Sequence, residues 1–363
     1  MRVGIFGNYG ATNVGDDAIL QSLLASHPGH EFTVFSANPK ATAAPLFSLG
    51  FRSFFKHGFW RSLQALRAVD AVILGGGGLF QDDRLFACFL WAWQCLWVRV
   101  MGKPLFVVAL GVGPLRTRLG CWLTRWALAH AQVITVRDQS SHDLLRAIGL
   151  NEGEIHVTAD PAFLIPAPAH SPERTKGLIL VSLRPWLTHS QTLLKVFTEF
   201  LLRLKNEKGA RFVFVCMQSI REHDRSILEP LAKRLGGEVW VPPNFSALMA
   251  RLGQAEFAIG MRYHFLIAAL ITETPALPIS YSPKVEALFS GTSLERYVIP
   301  VQDLTADRLT ENLKRLSVDY NNVQIYEKKR AEILREQADK NKALLDQFMA
   351  DLAKPIDRNS PTC

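Results

Sequence analysis

The sequence predicts an α/β protein of two Rossmann-like domains, with helices at the carboxyl terminus that pack back across them. Three observations carry this. The 363 residues are too many for one compact core and suit two α/β units. Short β-branched or aromatic runs alternate with helical patterns, the order that builds parallel βαβ units. The alternation occurs twice, on either side of a stretch rich in proline, serine and charge between Leu164 and Gly177.

In the first series the predicted strands are Arg2–Phe6, Glu31–Phe35, Ala71–Leu74, Leu105–Ala109, Val133–Val136 and His156–Thr158. Helices are predicted near Gly15–Ser26, Arg84–Met101, Arg118–Ala129 and Ser140–Ile148. The second series places strands at Leu178–Leu183, Arg211–Cys216, Glu238–Trp240, Phe257–Gly260 and Pro275–Ile279. Its helices fall near Leu193–Lys208, Asp224–Leu235, Phe245–Leu252 and His264–Leu270. From Thr305 onward, Leu309, Leu313, Leu316, Leu334, Ala338 and Leu345 follow three- and four-residue steps, predicting terminal helices. The expected division is residues 1–165, a linker at 166–177, residues 178–303, and a helical tail at 304–363. Two such sheets facing across a cleft make a GT-B-like arrangement.

Composition narrows the function classes. With 48% apolar and 20% charged residues, global disorder is excluded. A formal charge of +8 suits an acidic partner: nucleic acid, an anionic membrane surface or a phosphorylated substrate. The densest cationic run, Lys328 to Arg330, is flanked by Glu327 and Glu332 in a helical pattern and reads as a solvated face. No nucleic-acid partner is expected. The five cysteines form no CxxC pair and have no histidines at zinc spacing, so neither a metal site nor a disulfide framework is expected. A strand-like segment opens the chain where a signal peptide would show an apolar core, so a cytoplasmic setting is expected. Leu85–Met101, 17 residues with Trp91, Trp93 and Trp97, is at the short limit for crossing a bilayer. It reads as a core helix, with peripheral membrane contact as the alternative.

Several segments carry chemistry. Gly4–Asp17 (GIFGNYGATNVGDD) follows a strand and opens a helix, but its glycines miss the dinucleotide spacing and no P-loop lysine follows. Asp16 and Asp17 would oppose a phosphate at that helix start, so Asn8, Asn13 and Asp16 are better suited to sugar hydroxyls, or simply to capping the helix. Val72–Asp83 (VILGGGGLFQDD) runs a buried strand into four glycines, where ligands of open α/β sheets bind. Gly76 and Gly77 are the expected points of close backbone approach. Asp82 is a candidate base for an acceptor hydroxyl, and Asp83 a helix cap. Arg137, after the strand ending at Val136, reads either as an anion ligand or as a salt bridge to Asp138.

The most informative segment is Phe257–Leu270 (FAIGMRYHFLIAAL). Arg262 and His264 fall in the first turn of an apolar helix, where positive charge is unfavourable unless an anion neutralises it. Lys284, in YSPKVE after the next strand, and Arg184, in SLRPW, emerge at neighbouring strand ends. Lysine and arginine together suit a compound with both carboxylate and phosphate.

Taken in order, GNYGATNVGDDAIL, GGGGLFQD, ALGVGP, VRD, TADPAF, GMRYHFLIAAL and SYSPKVEAL resemble the polysaccharide pyruvyl transferase family, especially members that pyruvylate secondary cell-wall polymers. The resemblance runs from Gly4 to Leu288. It implies a transfer of pyruvate from phosphoenolpyruvate to a glycan, with His264 and Lys284 as catalytic residues and the donor in the second domain. It also implies an arginine assisting them, Arg137 first, with Arg184 and Arg262 as alternatives. The acceptor belongs on the first domain. Lipid-linked glycan acceptors, and so work at the inner face of the plasma membrane, are implied as well. No metal or redox cofactor is expected. The competing expectation is a nucleotide-sugar glycosyltransferase of the same fold, with Glu286 on a ribose.

Overall fold

The computed structural model describes residues 1–10, 13–35, 46–47, 58–82, 85–151, 153, 155–168, 173–186, 190–219 and 224–354. Asp83, the predicted helix start at Arg84 and part of the predicted linker lie outside them.

The first sheet is built from β1 (Arg2–Phe6), β2 (Glu31–Phe35), β3 (Leu46–Phe47), β4 (Ala71–Leu74), β5 (Gly77–Phe80), β6 (Leu105–Val112), β7 (Ala131–Val136) and β8 (Ile155–Val157). Its order is β3-β2-β1-β4-β6-β7-β8, with β5 paired beside β6, and every pairing is parallel. β4 is buried along its whole length, as befits a parallel strand covered on both faces. The strand period of two then sorts its side chains. Val72 and Leu74 join the face that carries α2 (Phe59–Ala68), α3 (Phe86–Val100), α4 (Arg118–Leu128) and α5 (Gln139–Ala147). Ala71 and Ile73 join the face that carries α1 (Val14–Ser26).

The second sheet contains β9 (Thr175–Ser182), β10 (Arg211–Val215), β11 (Glu238–Trp240), β12 (Ala255–Gly260), β13 (Ala276–Ser280) and β14 (Ile299–Pro300), in the order β11-β10-β9-β12-β13-β14 and again all parallel. Its helices are α6 (Ser190–Lys208), α7 (Arg225–Leu235), α8 (Phe245–Gly253), α9 (Tyr263–Ile271), α10 (Pro283–Ala287) and α11 (Ala306–Val318). Both sheets are doubly wound, so each has one switch point where the strand order reverses: between β1 and β4, and between β9 and β12.

Helix α12 (Tyr320–Ala353) ties the halves together, as expected of the carboxyl-terminal helices. Near its start Glu327 accepts a hydrogen bond from the Ala276 amide at 2.9 Å. Near its end Leu345, Phe348 and Met349 enter the core of the first sheet. The amino-terminal loop closes the other side, where the Val14 amide donates to the Met217 carbonyl at 3.3 Å and Asn13 bridges Gln218. The carboxyl ends of the two sheets therefore face each other.

Candidate functional site

The site forms where the two switch points meet, and every functional side chain sits just past a strand end. Asp160 is its buried centre. It caps a 3-10 turn at Pro161–Leu164 by accepting from the Ala162 amide at 3.1 Å. Its Oδ2 receives Arg137 Nη1 at 2.9 Å, and His264 Nε2 lies 3.3 Å away without hydrogen-bond geometry. Burial alone would raise this carboxyl, but His264 and Arg137 outweigh it and hold it down at about 2. Arg137 also lies over the Tyr263 ring, 4.2 Å from its centroid. Of the two readings left open for Arg137, neither named this partner: Asp138 is 3.9 Å away and instead caps α5 through the Ser141 amide.

His264 packs against the start of α1. A Cβ on Gly15 would come 2.0 Å from His264 Nδ1, so this histidine fits only because residue 15 is glycine. Beside it Asp16 is buried, with one oxygen accepting from both Asn8 and Asn13 at 2.7 Å. Burial raises the Asp16 carboxyl against the opposing pull of His264, Asn8 and Arg137. The amide groups of Asn8 and Asn13 thus hold Asp16, and Asn13 caps α1, the helix-capping alternative that the sequence had left open beside sugar ligands.

Two more expectations need correction. Asp82 accepts from the Arg116 and Thr117 amides and the Thr117 hydroxyl, at 2.6 to 2.8 Å. Although burial opposes it, these donors lower its pKa, so it is a fixed turn anchor and a poor base. The glycine run is mostly packing. A Cβ at Gly76 would press on the carbonyls of Ala109 and Val108 at 3.1 and 3.2 Å, and Gly77 adopts φ +106° beside Asp16. The glycine that opens onto the cleft is Gly78, exposed, with Arg137 Nη2 and Lys284 Nζ 3.9 and 4.0 Å from where its Cβ would stand.

Opposite Gly78 stands a cluster that sequence reasoning half found. Lys284 lies in α10, with its ammonium 5.2 Å from the Tyr281 ring centroid; Arg184 lies over the same ring at 4.6 Å. Among the described residues neither cation has a carboxylate within ion-pair distance, and Arg184 Nε is buried with no hydrogen-bond partner. Burial would raise the Tyr281 phenol, but Lys284, Arg184 and Arg262 draw it down to about 7. Tyr281 was missed; its place two residues before Pro283, between two cationic motifs, was the available signal. Arg262, by contrast, is spent. Its guanidinium forks onto Asp224, which is fully buried and accepts from the Met217 and Gln218 amides at 3.1 Å. The charge at the start of α9 is thus balanced by an internal carboxylate.

A family model described as polysaccharide pyruvyl transferase matches residues 13–283. Among solved structures, HepE from Anabaena in complex with UDP and glucose is similar at TM-score 0.66 and 8% identity, covering 97% of this chain and 100% of that one. MnaA from S. aureus with UDP is similar at TM-score 0.65 and 12% identity, covering 100% of both chains. UDP-GlcNAc 2-epimerase from Neisseria meningitidis, bound to UDP-GlcNAc, is similar at TM-score 0.58 and 14% identity, covering 96% of this chain and 100% of that one. Likeness at such identity shows a shared GT-B-type fold.

Proposed function

The chain belongs to the polysaccharide pyruvyl transferase family, and from that premise we propose that it moves the pyruvyl group of phosphoenolpyruvate onto a sugar of a cell-envelope polysaccharide, closing a cyclic ketal and releasing phosphate. One observation carries the donor half of this reading: Lys284 and Arg184 converge on Tyr281 at the mouth of the cleft with no carboxylate among the described residues to neutralise them. A donor bearing a carboxylate and a phosphate supplies both missing anions.

The chemistry needs two protons moved and no oxidant. One sugar hydroxyl adds to C2 of the enol while C3 gains a proton and becomes a methyl group. The second hydroxyl displaces phosphate from C2, and its proton leaves with the phosphate. Tyr281, lying among the donor's cations, is the proposed acid toward C3. His264 is the proposed base toward the hydroxyl, since the imidazolium formed would sit 3.3 Å from the Asp160 carboxylate. Arg137 and Lys284 flank Gly78, where developing negative charge on the phosphate would be held by preorganised cations.

Thermal unfolding titrated with phosphoenolpyruvate and, in parallel, with UDP-sugars tests the donor. Phosphoenolpyruvate is expected to raise the unfolding temperature; stabilisation by UDP-sugars alone would overturn the reading in favour of a glycosyltransferase. Phosphate release with a pyruvate-free glycan acceptor tests the reaction, and His264→Ala and Lys284→Ala are each expected to abolish it.

A further inference from the structure

Helix α3 is apolar on both sides. Cys88, Trp91, Ala92, Cys95 and Val98 bury its inner side against the first sheet. On the outer side Phe86, Phe89, Leu96 and Val100, with the half-buried Trp93 between them, recur at alternating steps of three and four, which sets them in one stripe along the helix. Phe86 is 63% exposed and Val100 60%. A surface helix normally turns a polar face outward.

The neighbouring helices widen the stripe. Phe59 of α2 meets the Trp97 ring at 5.3 Å, placing Trp60, 70% exposed, beside it. Arg99 of α3 lies 5.8 Å from the Trp126 ring of α4, whose Leu119 and Trp122 are exposed on the other flank. These three helices carry Arg61, Arg67, Arg99, Arg118 and Arg125 and not one aspartate or glutamate.

From this juxtaposition we propose that the outer face of α2, α3 and α4 docks onto an anionic lipid bilayer. Tryptophan and phenylalanine favour the headgroup boundary, and arginines gain from anionic headgroups. A second copy related by a two-fold axis would set arginines against arginines. At 15 residues α3 is about 22 Å long, short of the roughly 30 Å hydrocarbon core, so it lies along the surface. No helix among the described residues is long and apolar enough to cross a membrane. The Phe86 end of the stripe adjoins the cleft edge, since Cys88 Sγ is 3.5 Å from the Gln81 carbonyl just past β5. The proposal stands independently of the reaction assigned to the cleft.

The test is cosedimentation of the full chain with vesicles of phosphatidylcholine, with and without phosphatidylglycerol. Binding is expected only with phosphatidylglycerol and is expected to weaken with salt. A Phe86→Ser, Phe89→Ser, Trp122→Ser variant should lose about tenfold or more in partitioning, as should Arg118→Glu with Arg125→Glu. An unchanged unfolding temperature shows that each variant folds. Absence of binding by the wild type, or equal binding by both folded variants, overturns the proposal. So does self-association through this face, seen by sedimentation velocity without vesicle binding.

Discussion

Tyr281 shows how a single side chain reports its surroundings. A phenol ordinarily holds its proton to about pH 10. Here burial pushes the same way, yet Lys284, Arg184 and Arg262 bring it to about 7, so the free protein carries tyrosinate at mildly alkaline pH. A bound dianion would neutralise those cations and let the phenol regain its proton. Ultraviolet tyrosinate absorbance is therefore expected in the free protein, to fall on adding phosphoenolpyruvate, and to be missing from Tyr281→Phe. The same substitution should slow transfer by about 100-fold or more while the protein still binds its donor. Absorbance unmoved by phosphoenolpyruvate would place the donor elsewhere. The residue types of this site were legible in the sequence, and His264, Lys284, Arg184 and Arg137 do converge on one cleft. Their pairing was not legible: Asp160 stands in the TADPAF motif, but it lies 23 residues from Arg137 and 104 from His264, and nothing local says that it joins them.

At the scale of elements, α12 carries a buried acid. Glu327 is fully buried, one oxygen accepting from Ala276 and the other without a hydrogen-bond partner. Burial raises this carboxyl well above its ordinary value, so the folded protein retains a proton that the unfolded chain gives up. Stability should consequently fall as pH rises from the ordinary carboxylate range toward the raised value. Glu327→Gln keeps an acceptor and does not titrate. It is expected to unfold at a higher temperature than the wild type at neutral pH and to flatten this dependence; a lower temperature would show that the carboxyl is ionised in the fold. Strands and helices of five or more residues were mostly legible from period two or from three- and four-residue steps. Among those missed, β3 and β14 have two residues each and β5 reads GGLF, too short or too glycine-rich to show a period. Helix α2 was missed although Phe59, Leu63 and Leu66 keep helical spacing.

For the whole molecule, the relation of the two sheets depends on α12. Asn341, buried, accepts from the Thr135 and Thr158 hydroxyls at 2.6 and 2.9 Å and donates to the Ala159 carbonyl at 2.9 Å. Asn341→Ala removes these buried hydrogen bonds, although Thr158 keeps the Val136 carbonyl at 3.1 Å and Thr135 keeps the Ala109 amide at 2.6 Å, and is expected to cost about 2–4 kcal/mol in chemical denaturation. Because Ala159 precedes Asp160, phosphate release is expected to fall as well, at conditions where the variant is folded. A variant as stable as the wild type would show that apolar packing alone holds the helix in place.

By itself the sequence determined the α/β class, the double repeat of parallel units, the returning helices and the family, because periodicity, turn composition and ordered motifs are local properties. Tertiary structure alone decided which charges remain available. Arg262 is taken up by a buried carboxylate, Arg137 gives Nη1 to Asp160 while its Nη2 stays beside Gly78, Asp82, Asn8 and Asn13 are spent on internal hydrogen bonds, and Gly78 takes the place expected of Gly76 and Gly77. Lys284 and Arg184 are left facing the cleft. The reason is that pairing is settled by which strand ends the two sheets bring together, and the free energy of a charge depends on that three-dimensional neighbourhood.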